Sequence, residues 1–385
     1  MLNVLFAGGG TTGHIAPMLS IADDLRFQDP DSDILMLGTD EGLEKRLVPQ
    51  AGYRLETIPK VPFPRGLNSK ALSFPFQFAS CIRQVRHLLK EHRTDVVVGV
   101  GGYVCPPAYL AAKSLGIPIV LHEANAVPGM ANKLGAKYAH PSHIGYTFAS
   151  TPMAGDHVGM PMRIEIAQVD RTDAGHRAQA ADRLGINPEL PTLVVTGGSS
   201  GAQKINEAFA ETAAEFTGLQ VLHITGAGKA DELREAAKDC PDYHVVEYVD
   251  GMENAYAAAD LIVCRSGAGT VAEVTVAEVP AVYVPLAIGN GEQKRNAADS
   301  VNAGASKLID NADFTADSVR STVLPLLRDA DRLAQMSAAA RGLDFPVSAD
   351  RAMTEKIFAA AGAEHPDRGY PSERQTRRER DTKES

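Results

Sequence analysis

The chain is poor in cysteine, has no excess of positive charge and lacks any long apolar run, and each shortage closes off a class of protein. Its four cysteines, Cys81, Cys105, Cys240 and Cys264, stand too far apart for a C-x-x-C metal knuckle or a compact disulfide framework, so reduced packing thiols are expected. Lysine and arginine number 38 against 48 aspartates and glutamates, a net charge of -10. A surface short of cations cannot displace the counterions of a nucleic acid, so nucleic acid is not an expected partner and any basic site must be local. No segment reaches the roughly 18 consecutive apolar residues of a membrane span, and no basic leader precedes the first strand. A cytosolic protein, or one peripheral to a membrane, is the expectation.

What remains is rich enough to build cores. Apolar residues make up 44% of 385 positions, a length that exceeds what one hydrophobic core usually serves and predicts two domains. Short β-branched runs at 4–7, 34–37, 96–100, 119–121, 193–196, 221–225, 261–264 and 281–284 alternate with helical patterns, which predicts parallel sheets flanked by helices. The two halves echo each other: NVLFAGGGTTGH at 3–14 is matched by TLVVTGGSSGAQ at 192–203, and DVVVGVGGY at 95–103 by DLIVCRSGAG at 260–269. The expected fold class is α/β, with two Rossmann-like domains whose loops face an inter-domain cleft, because ligands of open parallel sheets bind beyond the carboxyl ends of the strands. GMPMR at 159–163 suggests a hinge. The domains are expected at 1–163 and 164–344, with a last helix at about 345–362 returning to the first and a polar, disordered tail at 365–385.

The first glycine turn is the most informative segment. Gly8, Gly10 and Gly13 fit G-x-G-x-x-G between a strand and a helix, where missing side chains let an anion reach the free N–H groups of the helix start. Asp40 after the next strand would suit a dinucleotide, so an oxidoreductase stays open, as does a turn that binds nothing. The turn ends on His14, a group able to exchange a proton near neutral pH. The third element, 197–202, offers Ser199 to a phosphate, and the fourth opens a helix expected to carry Glu273 in its first turn. A carboxylate there either complements the helix dipole or accepts from the two hydroxyls of a ribose. Asp31 and Asp33 form a D-x-D, read as a solvated turn rather than a metal site.

Seven motifs in order, GGGTTGH at 8–14, GVGGY at 99–103, HEAN at 122–125, GMPMR at 159–163, GGSSGA at 197–202, CRSGAGTVAE at 264–273 and EQKRNA at 292–297, resemble the MurG family of peptidoglycan glycosyltransferases. The likeness spans roughly residues 2–362. It implies a GT-B fold and inverting transfer of N-acetylglucosamine from UDP-N-acetylglucosamine to the C4 hydroxyl of the muramyl sugar of undecaprenyl-linked lipid I. That step serves cell wall biogenesis, and through it cell shape and division.

Carried over motif by motif, the resemblance implies that Thr11, Thr12, Gly13, Asn125, Arg163, Ser199, Ala268, Gly269, Thr270, Glu273 and Gln293 meet the donor. It implies that Gly10, Gly101, Gly102 and Tyr103 serve the acceptor pyrophosphate. Ser200, Gly269 and Glu292 depart from the more usual glutamine, leucine and glutamine of the family. No acidic cluster asks for a divalent metal, so helix amino termini and Arg163 are expected to stabilise the departing UDP without a cofactor. His14 is the first choice of base for the acceptor hydroxyl, Glu123 its rival, and His122 is read as structural. A 2-epimerase, or a transferase to a soluble aglycone, would use the same donor.

A lipid acceptor asks for a membrane-facing patch. Phe74, Phe76, Phe78 and Ile82 beside Arg83 and Arg86 supply aromatic anchors with cations interleaved, suited to an anionic surface. The alternative is an ordinary amphipathic helix packed on its sheet. The expected location is peripheral, on the cytoplasmic face of the bacterial plasma membrane.

Overall fold

The computed structural model describes residues 1–64, 69–198, 202–286, 291–366 and 368. The chain divides into two compact units, Met1–Met162 with the segment that starts at Pro346, and Arg163–Phe345.

The first unit is built on a seven-stranded sheet in the order β3-β2-β1-β4-β5-β6-β7. Its strands are β1 (Asn3–Gly8), β2 (Asp33–Thr39), β3 (Arg54–Ile58), β4 (Val96–Gly101), β5 (Ile119–Glu123), β6 (Ile144–Tyr146) and β7 (Asp156–His157). All neighbours pair in parallel. The helices of this half are α1 (Thr12–Gln28), α2 (Glu44–Gln50), α3 (Ser69–Glu91), α4 (Cys105–Leu115) and α5 (Met130–Gly135).

Strand side chains alternate between faces, so each apolar run feeds two cores. Val4, Phe6, Met36, Val96 and Val98 pack on one face with Met18, Ile21 and Leu25 of α1 and with Met353 and Ile357 of the helix Ala349–Ala361. Leu5, Ala7, Leu35, Leu37 and Val97 pack on the other with Val85 and Leu89 of α3 and Ala108, Tyr109 and Ala112 of α4. Burial on both faces is why these strands read as continuous apolar runs.

The second unit repeats the plan with six parallel strands in the order β10-β9-β8-β11-β12-β13. They are β8 (Thr192–Thr196), β9 (Gln220–Ile224), β10 (Tyr243–Val246), β11 (Leu261–Cys264), β12 (Ala281–Tyr283) and β13 (Ser306–Leu308). In each sheet the strand order reverses direction at one place, between β1 and β4 and between β8 and β11. Those are the topological switch points where loops diverge and leave room for a ligand. All four glycine elements of the sequence follow these four strands.

Candidate functional site

In the first unit the ladder between β1 and β4 slips, with Ala7 opposite Gly99 and Gly8 opposite Gly101. The slip brings two glycine turns against each other. A Cβ on Gly102, at φ +102°, would lie 2.8 Å from Gly9 O, so only glycine allows this approach. Thr11 sits at the N-cap of α1 without a side-chain capping bond, and Thr12 and Gly13 open the helix.

His14 is half-buried, with Nδ1 3.1 Å from Gly9 O and 3.4 Å from Thr11 Oγ1. A carbonyl oxygen only accepts, so Nδ1 carries a proton in that contact, and in the neutral ring the lone pair is then on Nε2. A Cβ on Gly101 would stand 3.0 Å from Nε2, which places the basic end of the ring over that glycine.

The first loop holds a surprise for its phosphate-cradle reading. Gly10 N–H donates 2.9 Å to Glu44 Oε2, while Glu44 Oε1 accepts from Thr39 N at 2.8 Å and Thr39 Oγ1 at 2.7 Å. A carboxylate of the protein itself therefore occupies one of the N–H groups expected to meet an anion. Burial pushes the Glu44 pKa up, yet the hydrogen bonds from Gly10 and Thr39 outweigh it and hold the group below the ordinary carboxylate value. Asp40 lies exposed. Beside this latch, a cavity of about 190 Å³ is lined by Gly9, Gly10, Gly42, Leu43, Lys60 and Tyr103. Lys60 Nζ stands over the Tyr103 ring, 5.2 Å from its centroid, which puts a cation and an aromatic face where the acceptor pyrophosphate was expected.

Glu123, the rival base, is buried at the end of β5 with its oxygens committed. Oε1 accepts from Asn125 N at 2.8 Å, and Oε2 from Gly129 N at 3.0 Å and Asn132 Nδ2 at 2.9 Å. Asn132 in turn accepts from Tyr109 Oη at 2.9 Å. Burial raises the Glu123 pKa in spite of these donors and of the attraction of His14. The arrangement fixes the loop that carries Asn125. His122 is fully buried, its Nε2 2.9 Å from Gly159 O, and burial drives its pKa down to about 4. That is a structural histidine.

The second unit gathers its own set at the carboxyl ends of β8, β11 and β12. Gly198 N donates to Thr196 Oγ1 at 3.2 Å, while Ser199 and Ser200 lie outside the described residues. Gly267 is the N-cap of the helix Ala268–Val276, so the N–H groups of Ala268, Gly269 and Thr270 have no acceptor within the helix. Glu273 is the sixth residue of that helix, in its second turn rather than its first, so dipole complementation does not explain it. Instead Tyr256 Oη donates 2.7 Å to Glu273 Oε2. Burial raises the Glu273 pKa against the hydrogen bond from Tyr256 and the nearby Arg163 charge. Arg163 Nη2 lies 3.2 Å from Glu253 Oε2. Gln293 is near the start of the helix Glu292–Asn296, where its Oε1 accepts from Leu286 N at 2.8 Å. Tyr248, which no motif singled out, stands 77% exposed just beyond β10, an aromatic face at the ligand end of the sheet.

The aromatic patch is resolved unequally. Phe74 and Phe78 of α3 stack at 5.3 Å, pack with Phe63 and lie half-buried on the core, as does Ile82. Phe76 alone stands clear, at 78% exposure, with Arg83 and Arg86 exposed farther along the helix. Among the described residues no helix is long and apolar enough to cross a membrane.

Comparison with known proteins agrees with this geometry. Residues 4–144 match the glycosyltransferase family 28 N-terminal domain and residues 192–352 its C-terminal domain. A UDP-N-acetylglucosamine--N-acetylmuramyl-(pentapeptide) pyrophosphoryl-undecaprenol N-acetylglucosamine transferase of Paenarthrobacter aurescens is 49% identical over 94% of this chain and 97% of its own. One of the same name from Streptomyces avermitilis is 44% identical over 94% of this chain and 100% of its own. The crystal structure of Acinetobacter baumannii MurG superposes with a TM-score of 0.73 at 29% identity, over 88% of this chain and 94% of that one. A UDP-N-acetylglucosamine 2-epimerase shares the fold at 14% identity and a TM-score of 0.61, over 96% and 98%. The two switch-point sheets with their glycine loops, the matches to both halves and the near full-length relatives agree: the chain is a glycosyltransferase of GT-B fold that belongs to glycosyltransferase family 28, in the MurG family.

Proposed function

We propose that the enzyme transfers N-acetylglucosamine from UDP-N-acetylglucosamine to the C4 hydroxyl of the muramyl sugar of lipid I, inverting the anomeric centre to give lipid II for peptidoglycan synthesis. The names of its near full-length relatives support the substrates. The observation that carries the mechanism is the pinned imidazole: His14 has its Nδ1 proton held by Gly9 O and its Nε2 left as a base at the mouth of a switch-point loop. Glu123 is spoken for by three donors and serves better as the anchor of Asn125.

On the donor side, Glu273 accepts from the ribose hydroxyls, and the amino terminus of the helix Ala268–Val276 faces the α-phosphate. Gln293 and Arg163 bind the sugar and the leaving group, and Ser199 the pyrophosphate. Glycosyl transfer builds negative charge on the departing UDP, and oriented N–H dipoles with a guanidinium meet it without a divalent cation. Gly101, Gly102 and Tyr103 serve the lipid pyrophosphate, and Phe76 with Arg83 and Arg86 holds the enzyme peripherally on the anionic cytoplasmic face of the plasma membrane, where cell-wall synthesis supports cell shape and division.

The test incubates purified protein with UDP-N-acetylglucosamine and a short-chain lipid I analogue. UDP release matched by a β-linked disaccharide lipid, unchanged by EDTA, is the expected result. Epimerised sugar nucleotide, or UDP release without an acceptor, would overturn it. His14→Ala and His14→Gln should both lose at least about a hundredfold in turnover if the ring is a base, whereas a mere hydrogen-bond donor would be partly rescued by Gln.

A further inference from the structure

We propose that Glu44 is a positioning residue for His14, acting through the single peptide that joins Gly9 to Gly10; the inference rests on His14 being the base. That peptide is gripped at both ends. Its N–H donates 2.9 Å to Glu44 Oε2, and its C=O lies 3.1 Å from His14 Nδ1. A peptide unit is planar and stiff, so fixing its N–H direction fixes the carbonyl that orients the imidazole and keeps the proton on Nδ1. A carboxylate pulling on the N–H also polarises the C=O and makes it a stronger acceptor for the ring. The relay is carboxylate, peptide, imidazole.

The site is built for that carboxylate. Glu44 is fully buried, and its other oxygen is tied to the end of β2 through Thr39 N and Oγ1. A Cβ on Gly9 would come within 2.5 Å of the Glu44 side chain, one on Gly38 within 2.4 Å and one on Gly42 within 2.0 Å. Three glycines from three segments thus leave the space it fills. An enclosed charge is costly unless it is hydrogen-bonded, and surface capping of α2 would require none of this enclosure. What the enclosure secures is the geometry of the turn that ends on His14.

The experiment uses the full chain with UDP-N-acetylglucosamine and the short-chain lipid I analogue, comparing Glu44→Gln, His14→Ala and the double variant. Gln keeps the size but must turn an NH₂ toward either Gly10 N–H or Thr39 N–H. Glu44→Gln should lower kcat about ten- to a hundredfold, the usual cost of losing the outer partner of a functional histidine, while KM for UDP-N-acetylglucosamine changes less than about twofold. On the His14→Ala background it should cost less than about twofold, because residues acting as a unit are not additive. Val48→Ala, in the core on the same helix, matches the loss of stability without touching the loop and should keep its kcat. An unchanged kcat in Glu44→Gln, an equal cost with and without His14, or an equal fall in kcat in Val48→Ala would each overturn the proposal. Full turnover in His14→Ala alone would instead sink the base assignment, before Glu44 is considered.

Discussion

Tyr256 and Glu273 are joined by a 2.7 Å hydrogen bond from the buried phenol to Oε2 of the carboxylate. The bond pins one oxygen and directs the acid, and it works against the burial that raises the Glu273 pKa. Tyr256→Phe removes the donor and leaves the carboxylate freer and easier to protonate. A lost hydrogen bond to a charged group is worth about 1.5–3 kcal/mol, so KM for UDP-N-acetylglucosamine should rise about tenfold or more with kcat little changed. A protonated Glu273 is a weaker acceptor for the ribose hydroxyls because it has lost the charge that strengthens those bonds, so the defect should deepen as pH falls. Steady-state kinetics at pH 6 and pH 8 measure both effects, and equal KM values for variant and wild type at both pH values would refute the pairing.

Gly102 and Gly10 make a controlled comparison of two turns. Both have positive φ, +102° and +89°, but a Cβ on Gly102 meets Gly9 O at 2.8 Å whereas one on Gly10 meets nothing within 4 Å. Gly10→Ala should therefore cost only the backbone strain, about 1–2 kcal/mol. Gly102→Ala adds a clash with the carbonyl that also holds His14, and should lose more stability and most turnover. Denaturant unfolding and transfer assays on both variants check the ranking.

At the exposed end of α3 the phenylalanines should separate by experiment. Phe76→Ser removes an exposed ring worth about 1.5–3 kcal/mol when buried in lipid, and should weaken co-sedimentation with anionic vesicles by roughly ten- to a hundredfold without lowering Tm. Phe78→Ala should instead destabilise the first unit, because that ring already packs on Phe63 and Phe74. Replacing Arg83 and Arg86 by Ser should remove about 1 kcal/mol each of vesicle affinity, in a salt-sensitive manner. Vesicle binding by Phe76→Ser equal to wild type would exclude this face as the contact.

The strands legible in the sequence were those buried on both faces. β1, β4, β8 and β11 carry short, largely apolar runs that lead into glycine turns, and these four also carry the site, so fold and site were read from the same residues. The missed strands, β3, β6, β7, β10 and β13, lie at or near sheet edges. β3 is mostly exposed and reads as RLETI, a pattern indistinguishable from a polar turn. Glu44 was illegible for a different reason: its burial depends on Gly9, Gly38 and Gly42, which no local pattern unites. Asp40, nearer the strand end, was the natural guess for an acid at that place. Similarly, Glu273 was visible as an acid near a helix start, but its partner Tyr256 comes from another helix and only packing reveals it.

Each unit conceals one fully buried, neutral histidine, and both contribute to how stability responds to acid. Burial lowers the pKa of His122 to about 4 and that of His223 to about 3, both from an ordinary 6.5. His223 sits between Tyr243 Oη and Asn206 Oδ1, each 3.0 Å from a ring nitrogen, with no carboxylate to share a proton. Below pH 6.5 the unfolded chain binds protons that the folded chain refuses, so each histidine draws the balance toward unfolding as pH falls. The slope approaches about 1.4 kcal/mol per pH unit per histidine and levels off only near the folded values. Glu123 and Glu273 act with the opposite sign, since burial raises their pKa values and their charging costs stability as pH rises past the ordinary carboxylate range. Between pH 6.5 and 5 the two effects oppose each other, so the histidine contribution is isolated by comparing a variant with the wild type. With denaturant midpoints taken at pH 7, 6 and 5, the deficit of His223→Asn, destabilised at pH 7 by the smaller side chain, should shrink relative to wild type as pH falls. A variant slope equal to that of the wild type would mean that His223 takes up its proton in the folded state.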